Sequence, residues 1–111
     1  MGGIRPYGVS LLIGGVDGAN STGRLFETDP SGTMREWKAH AIGRGAKDAR
    51  KVLVDEYKDG TSKEKAIEVA LKALKAGEKK IAVRNVEIAI VDKKFKAYTK
   101  PEIKDFMKKF V

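Results

Sequence analysis

The sequence predicts an α+β domain: antiparallel sheets with flanking helices, in the order β-β-β-α-α-β-β-α. Three observations carry that prediction. Apolar residues alternate with period two up to about position 40. They recur with helical period between residues 46 and 77. A second, shorter alternating stretch then precedes an amphipathic C-terminal segment. Strands in runs and helices in runs favour antiparallel pairing over a βαβ arrangement.

The first strand is predicted over residues 7–16. Tyr7, Val9, Leu11 and Ile13 fall on one face, and Gly8, Ser10, Leu12 and Gly14 on the other. The second face is small and partly apolar, which predicts a strand covered on both sides. Gly14-Gly15 ends it, and Asp17 to Gly23 form a polar hairpin loop leading to a returning strand over 24–28. Asp29-Pro30-Ser31-Gly32 is a β-turn: Pro30 presets φ, the Asp29 side chain bonds the backbone, and Gly32 closes the loop. A third strand follows over 33–39, where Met34, Glu36 and Lys38 alternate with Arg35, Trp37 and Ala39.

Gly43-Arg44-Gly45 breaks this pattern. Ala46, Ala49, Leu53 and Tyr57 then form one helical stripe with Val52 beside it, and Asp59-Gly60 stops the helix. Thr61-x-x-Glu64 reads as a capping box for a second helix, with Ile67, Ala70, Leu71 and Leu74 as its apolar stripe and Gly77 as its end. The two helices make a hairpin. A basic connection over 78–84 leads to a strand in which Val86, Ile88 and Ile90 alternate with Glu87, Ala89 and Val91. Asp92-Lys93-Lys94 is a turn, and Phe95 to Tyr98 return as a strand. Thr99-x-x-Glu102 caps a last helix with Ile103, Phe106, Met107 and Phe110 on one face.

The 111 residues are 41% hydrophobic and 34% charged, the size of one domain and too apolar for a disordered chain. We read residues 1–111 as a single domain. There is no cysteine, which excludes disulfides and thiolate metal sites and fits a cytoplasmic location. No apolar run approaches the roughly 18 residues of a membrane span, and Met1 to Ile4 carry no signal-peptide pattern. Without a secretion signal, the sequon Asn20-Ser21-Thr22 has no meaning. The abundance of Lys and Glu also suits a thermophile.

The net charge of +8 raises the question of an anionic partner. The lysines are intermixed with acids, so they read first as solvated helix faces, then as a nucleic-acid patch, then as a contact for an acidic protein. Arg44, Lys47 and Lys51 share one face of the first helix, near Arg35 and Arg50 in sequence. No aromatic residues are interleaved for base stacking, so nucleic acid is disfavoured.

No residue qualifies as catalytic, cofactor-binding or metal-binding. The lone histidine, His40, has no nucleophile and orienting acid at a recognisable spacing and reads as structural or solvent-exposed. Asp55-Glu56 reads as solvated. Gly43-x-Gly45 lacks the third glycine of the dinucleotide fingerprint and the Lys-Ser/Thr of a P-loop, so it reads as a sharp turn into a helix. Trp37 reads as a core or interface anchor. The stripe of Ile103, Phe106 and Phe110 reads as core, or as a docking face for another subunit.

Several motifs in order resemble archaeal proteasome alpha-type subunits. They are Arg5-Pro6-Tyr7-Gly8-Val9-Ser10-Leu11-Leu12, Asp29-Pro30-Ser31-Gly32-Thr33, Trp37-Lys38-Ala39 with Ala41-Ile42-Gly43, and Asn85-Val86-Glu87-Ile88-Ala89. The resemblance runs from Gly2 to Val111 and matches the C-terminal half of the family's four-layer αββα fold, that of the N-terminal nucleophile hydrolases. It implies two stacked sheets flanked by helices, assembly into seven-membered rings, and a subunit that does not cut peptides. The matching members are about twice as long, and the chain opens Met1-Gly2-Gly3 rather than with a threonine nucleophile. Their pore gating, activator docking and ring-forming first helix lie in the part without a counterpart here.

Half of such a fold exposes a sheet edge and an apolar face. Burying about 500 Å² of apolar surface is worth on the order of 10 kcal/mol gross, before association costs. The expected partners are therefore a second copy, as dimer or higher homo-oligomer, and other proteasome subunits, with neither membrane nor cofactor. Three roles compete: a non-catalytic proteasome alpha-type fragment, a stand-alone interaction or assembly module, and a residual hydrolase.

Overall fold

The structure is a computed structural model that describes residues 10–17, 22–92 and 94–111, with Asp17 and Thr22 described by their backbone only. The predicted order is observed. Strands β1 (Leu11–Asp17), β2 (Thr22–Thr28) and β3 (Met34–Trp37) form one antiparallel sheet, β1-β2-β3. Helices α1 (Ala46–Glu56) and α2 (Lys63–Gly77) follow. A 3-10 turn (Val83–Asn85), the paired strands β4 (Ala89–Val91) and β5 (Phe95–Ala97), and helix α3 (Lys100–Phe110) complete the chain. Tyr7 to Val9, the loop residues 18–21 and Lys93 of the predicted turn lie outside the described residues.

The turn between β2 and β3 forms as its sequence predicts. The Asp29 carboxylate accepts from Ser31 N at 2.9 Å, Thr33 N at 3.1 Å and the Ser31 hydroxyl, and Gly32 adopts a φ of 89°. These bonds, led by the Ser31 hydroxyl, hold the Asp29 carboxyl below its ordinary pKa. Glu36 is lowered by Arg24, Asp59 by Lys38, Glu68 by Lys65, and Glu102 by the Thr99 backbone. A carboxylate with a depressed folded pKa contributes stability above its unfolded pKa and loses it as pH falls through the folded one. The melting temperature is therefore expected to hold from neutrality to mild acid and to drop below about pH 4. Thermal melts across that range test this, and a flat profile to strongly acid pH would contradict it.

β1 corrects one expectation. It runs on through Gly14-Gly15 to Asp17, and it is not covered on both faces: Leu11 is 53% exposed and Ile13 50%. The chain's buried core lies elsewhere, in Ile67 and Leu71 of α2, Val86, and Ile103 of α3. Ile81, Ile88, Tyr98, Phe106 and Phe110 pack around it. Among the described residues, β1–β3 contribute nothing to the fully buried set. The radius of gyration, 15.2 Å, accordingly exceeds the roughly 13 Å of a compact chain of this length.

The helices depart from prediction at their caps and buried faces. Ser62, not Thr61, caps α2: its hydroxyl accepts from Lys65 N at 3.2 Å, while the Thr61 hydroxyl turns back to donate to the Lys58 carbonyl. Glu64, assigned by sequence to a capping box, instead pairs with Lys109 of α3. Tyr57 falls just past the end of α1. α2 buries two sides rather than one stripe. Ile67 and Leu71 face the core, whereas Val69 and Ala73 lie on the opposite side, and Ala73 lines one cavity together with Ala46 and Ala49 of α1. Leu74 remains 42% exposed.

Gly77 ends α2 for a reason sequence alone does not show. It crosses Gly45, the residue before α1, so closely that a Cβ built on Gly77 would sit 2.6 Å from the Gly45 carbonyl oxygen. The strand expected from Val86 begins at Ala89. Residues before it close a 3-10 turn, and Lys100 Nζ donates to the carbonyls of Val83 at 3.2 Å and Val86 at 2.7 Å. The predicted strand over 33–39 is likewise shorter at both ends. The capping box of α3 forms in full: Thr99 N donates to Glu102 Oε1 at 3.0 Å, and Glu102 N donates to Thr99 Oγ1.

Candidate assembly face

Register decides which side chains share a face of the β1–β3 sheet. Leu11 opposes Thr28, which opposes Met34, and Ile13 opposes Phe26, which opposes Glu36. Partners across an antiparallel pair point the same way, so Leu11, Ile13, Phe26 and Met34 form one apolar face. Leu11, Ile13 and Met34 are exposed, Met34 by 61%, while Phe26 is half-buried. Its polar members are matched: Arg24 makes two bonds to Glu36, at 2.9 and 3.1 Å, and its guanidinium lies 4.9 Å from the Phe26 ring centroid. The surface is thus apolar and locally neutral, which suits contact with another protein surface.

The opposite face carries Leu12, Glu27 and Arg35, then Gly14, Leu25 and Trp37. Here the link to α1 folds back. The His40 ring stacks on Trp37 at 4.2 Å with planes 6° apart, and its side chain is 6% exposed. Trp37 Nε1 donates to Glu27 Oε1 at 3.1 Å. His40 Nε2 lies 3.0 Å from that same oxygen but out of line for a hydrogen bond. Trp37 is 37% exposed and so is not a core residue, and the His40 side chain is buried against it. Arg50 Nε donates to the Ala41 carbonyl at 3.1 Å, tying the link to α1.

Between this corner and α1 lies an open cleft of about 630 Å³, whose lining includes Arg35, Arg50, Leu53 and Tyr57. Lys38 pairs with Asp59 at 2.7 Å, and Asp59 also accepts from the Tyr57 hydroxyl at 3.2 Å. Burial first, then this bond, raises the Tyr57 pKa. The lining contains no serine, threonine or cysteine, and its one hydroxyl, on Tyr57, donates to Asp59, so the His40–Glu27 pair has no aliphatic hydroxyl or thiol to activate there. Among the described residues, no group of three or more His, Cys, Asp or Glu side chains could hold a metal ion, and no helix is long and apolar enough to cross a membrane.

The other residues singled out by sequence are scattered. Arg44 reaches Glu78 at 2.7 Å, beside the Gly45–Gly77 crossing, while Lys47 and Lys51 stay exposed on α1. Gly43 and Gly45 both have positive φ, 95° and 79°, and serve the turn into α1. Glu56 is not simply solvated: it accepts from Lys72 of α2 at 3.1 Å, whereas Asp55 is exposed. Phe106 meets Tyr98 edge-on at 5.3 Å and stacks with Phe110, so the α3 aromatics belong to the core. Sequence reasoning missed the pairing of Arg24, Phe26 and Glu36. Only strand register brings these residues together.

A family model described as proteasome subunit matches residues 1–91. The chain is 43% identical over 112 residues to a proteasome subunit alpha of Methanopyrus kandleri, covering 99% of this chain and 45% of that protein. It is 48% identical over 113 residues to the one from Methanoregula boonei, with 98% and 46% covered. With the one from Halobacterium salinarum it shares 50% identity over 93 residues, 83% of this chain and 36% of the relative. The chain thus spans less than half the length of these curated relatives. On this coverage and identity, the chain belongs to the proteasome subunit family.

Proposed function

We propose that this chain is a single structural unit, corresponding to the C-terminal half of a proteasome alpha-type fold, that serves protein degradation in the cytoplasm through subunit contacts and without catalysis. The observation that carries the reading is the exposed apolar face of Leu11, Ile13 and Met34, with half-buried Phe26 between them, on a sheet whose opposite face is folded against the α1 link. In the stacked-sheet fold that the family implies, such a face is covered by a second sheet. The cleft at His40, with no serine, threonine or cysteine in its lining and its Tyr57 hydroxyl donated to Asp59, supports a non-catalytic role. The partners are proteasome subunits and, for the chain alone, a second copy. The balanced Arg24–Glu36 pair lets two such faces meet without like-charge repulsion.

Light scattering after size exclusion tests the self-association. A dimer or higher closed oligomer is expected at micromolar concentration, with Ile13→Lys/Met34→Lys shifting it to monomer. A well-folded monomer of the unmodified chain at that concentration would overturn it. Co-purification with archaeal alpha or beta subunits is expected to be positive, and fluorogenic peptides are expected to stay uncut. The core formed by Ile67, Leu71, Val86 and Ile103 lies wholly within the chain and favours a second reading, a stand-alone self-associating module. Failure to bind proteasome subunits, with self-association retained, would select it.

A further inference from the structure

Two sets of lysines on and beside the helices contrast. Lys63, Lys65, Lys72 and Lys109 pair with acids on neighbouring turns or helices. By contrast, Lys75, Lys79, Lys80, Lys104 and Lys108 make no ion pair among the described residues, and all five line one groove of about 610 Å³. Its floor is aliphatic: Ile81, Val83, Met107 and Val111. Lys104, Met107, Lys108 and Val111 are spaced i, i+3, i+4, i+7, one face of α3 beside the face that holds Ile103 and Phe106 in the core. Nearby acids are engaged elsewhere, Glu78 with Arg44 and Glu102 with Lys96. Asp105 projects from α3 about 100° around from Lys104.

We propose that this groove is a docking site for an acidic peptide segment of another protein, with carboxylates over the lysine rim and an aliphatic side chain on the Ile81–Met107 floor. Charge complementarity selects an anion: five ammonium groups that repel one another gain from a neutralising partner, and their field steers it in. The floor selects peptide over nucleic acid. No aromatic ring faces the groove to stack a base, and the rim has lysine point charges with none of the flat guanidinium groups that stack on bases or clamp phosphate in two-point contacts. The aliphatic floor gives an isoleucine or leucine of the peptide a place that a nucleotide cannot use.

Fluorescence anisotropy with a labelled synthetic peptide alternating glutamate and leucine tests the proposal, with an all-glutamate peptide and an oligothymidylate as competitors. The alternating peptide is expected to bind saturably and more tightly than all-glutamate, and to weaken as salt rises from about 50 mM to about 300 mM. Lys104→Glu/Lys108→Glu is expected to weaken it on the order of tenfold or more. The control Lys47→Glu/Lys51→Glu, which reverses the same charge on α1, is expected to change it less than about twofold. Circular dichroism of both variants establishes that each is folded. Equal losses in the two variants, no saturable binding at millimolar peptide, or tighter binding of oligothymidylate would each overturn the proposal.

Discussion

Leu71→Ala is expected to cost about 3 kcal/mol of stability, within the 2–5 kcal/mol range for truncating a buried leucine. Leu71 is 2% exposed and belongs to the buried cluster that joins α2, α3 and the segment before β4. Its loss removes transfer free energy and leaves a cavity that Ile67, Val86 and Ile103, fixed on three elements, cannot collapse to fill. For a domain with about 5–15 kcal/mol in total, this lowers the melting temperature by roughly 10–20 °C. Leu74→Ala, one turn away but 42% exposed, is expected to cost less than about 1 kcal/mol. Urea denaturation of both variants decides it: equal losses would mean that the core does not lie where the structure puts it.

Gly77→Ala is expected to destabilise the helical hairpin by about 1–3 kcal/mol, against what propensity alone predicts. Gly77 is helical, and alanine in a helix is ordinarily better than glycine by about 1 kcal/mol. The added methyl would lie 2.6 Å from the Gly45 carbonyl oxygen and 3.2 Å from its carbon, both backbone atoms that no rotamer change can move. α1 would have to shift away from α2, loosening the packing that buries Ala46 and Ala49. Gly45→Ala carries the reciprocal clash, 2.1 Å from the Gly77 oxygen, and adds a left-handed φ of 79° that alanine disfavours. A rise in the denaturation midpoint of Gly77→Ala would refute the close crossing.

Both variants bear on function through position. The His40–Trp37 stack in the link to α1 lies on one side of the β1–β3 sheet, and Leu11, Ile13, Phe26 and Met34 lie on the other. Gly77→Ala loosens the hairpin without touching that face, whereas Ile13→Lys changes the face without touching the hairpin.

The sequence by itself determined what depends on a few neighbouring residues. The Asp29-Pro30-Ser31-Gly32 turn, the Thr99–Glu102 capping box, the apolar face of α3, the element order and the family are all legible in local spacing and motifs. Where two local solutions competed, spacing pointed to the wrong one: Thr61-x-x-Glu64 reads as the capping box, but Ser62 is as good an N-cap, and the backbone path, with the Thr61 hydroxyl drawn to Lys58, selected Ser62. The alternation at Val86 reads as a strand, but Val86 is held in the core by Lys100 and by packing from α2 and α3. The tertiary structure alone decided the two buried sides of α2, the Gly45–Gly77 crossing, the burial of His40 against Trp37 and Glu27, and the gathering of five unpaired lysines around one groove. Period and capping are written along the chain because they act over three or four residues. Which face is covered, and which charge is left without a partner, depends on contacts between segments tens of residues apart.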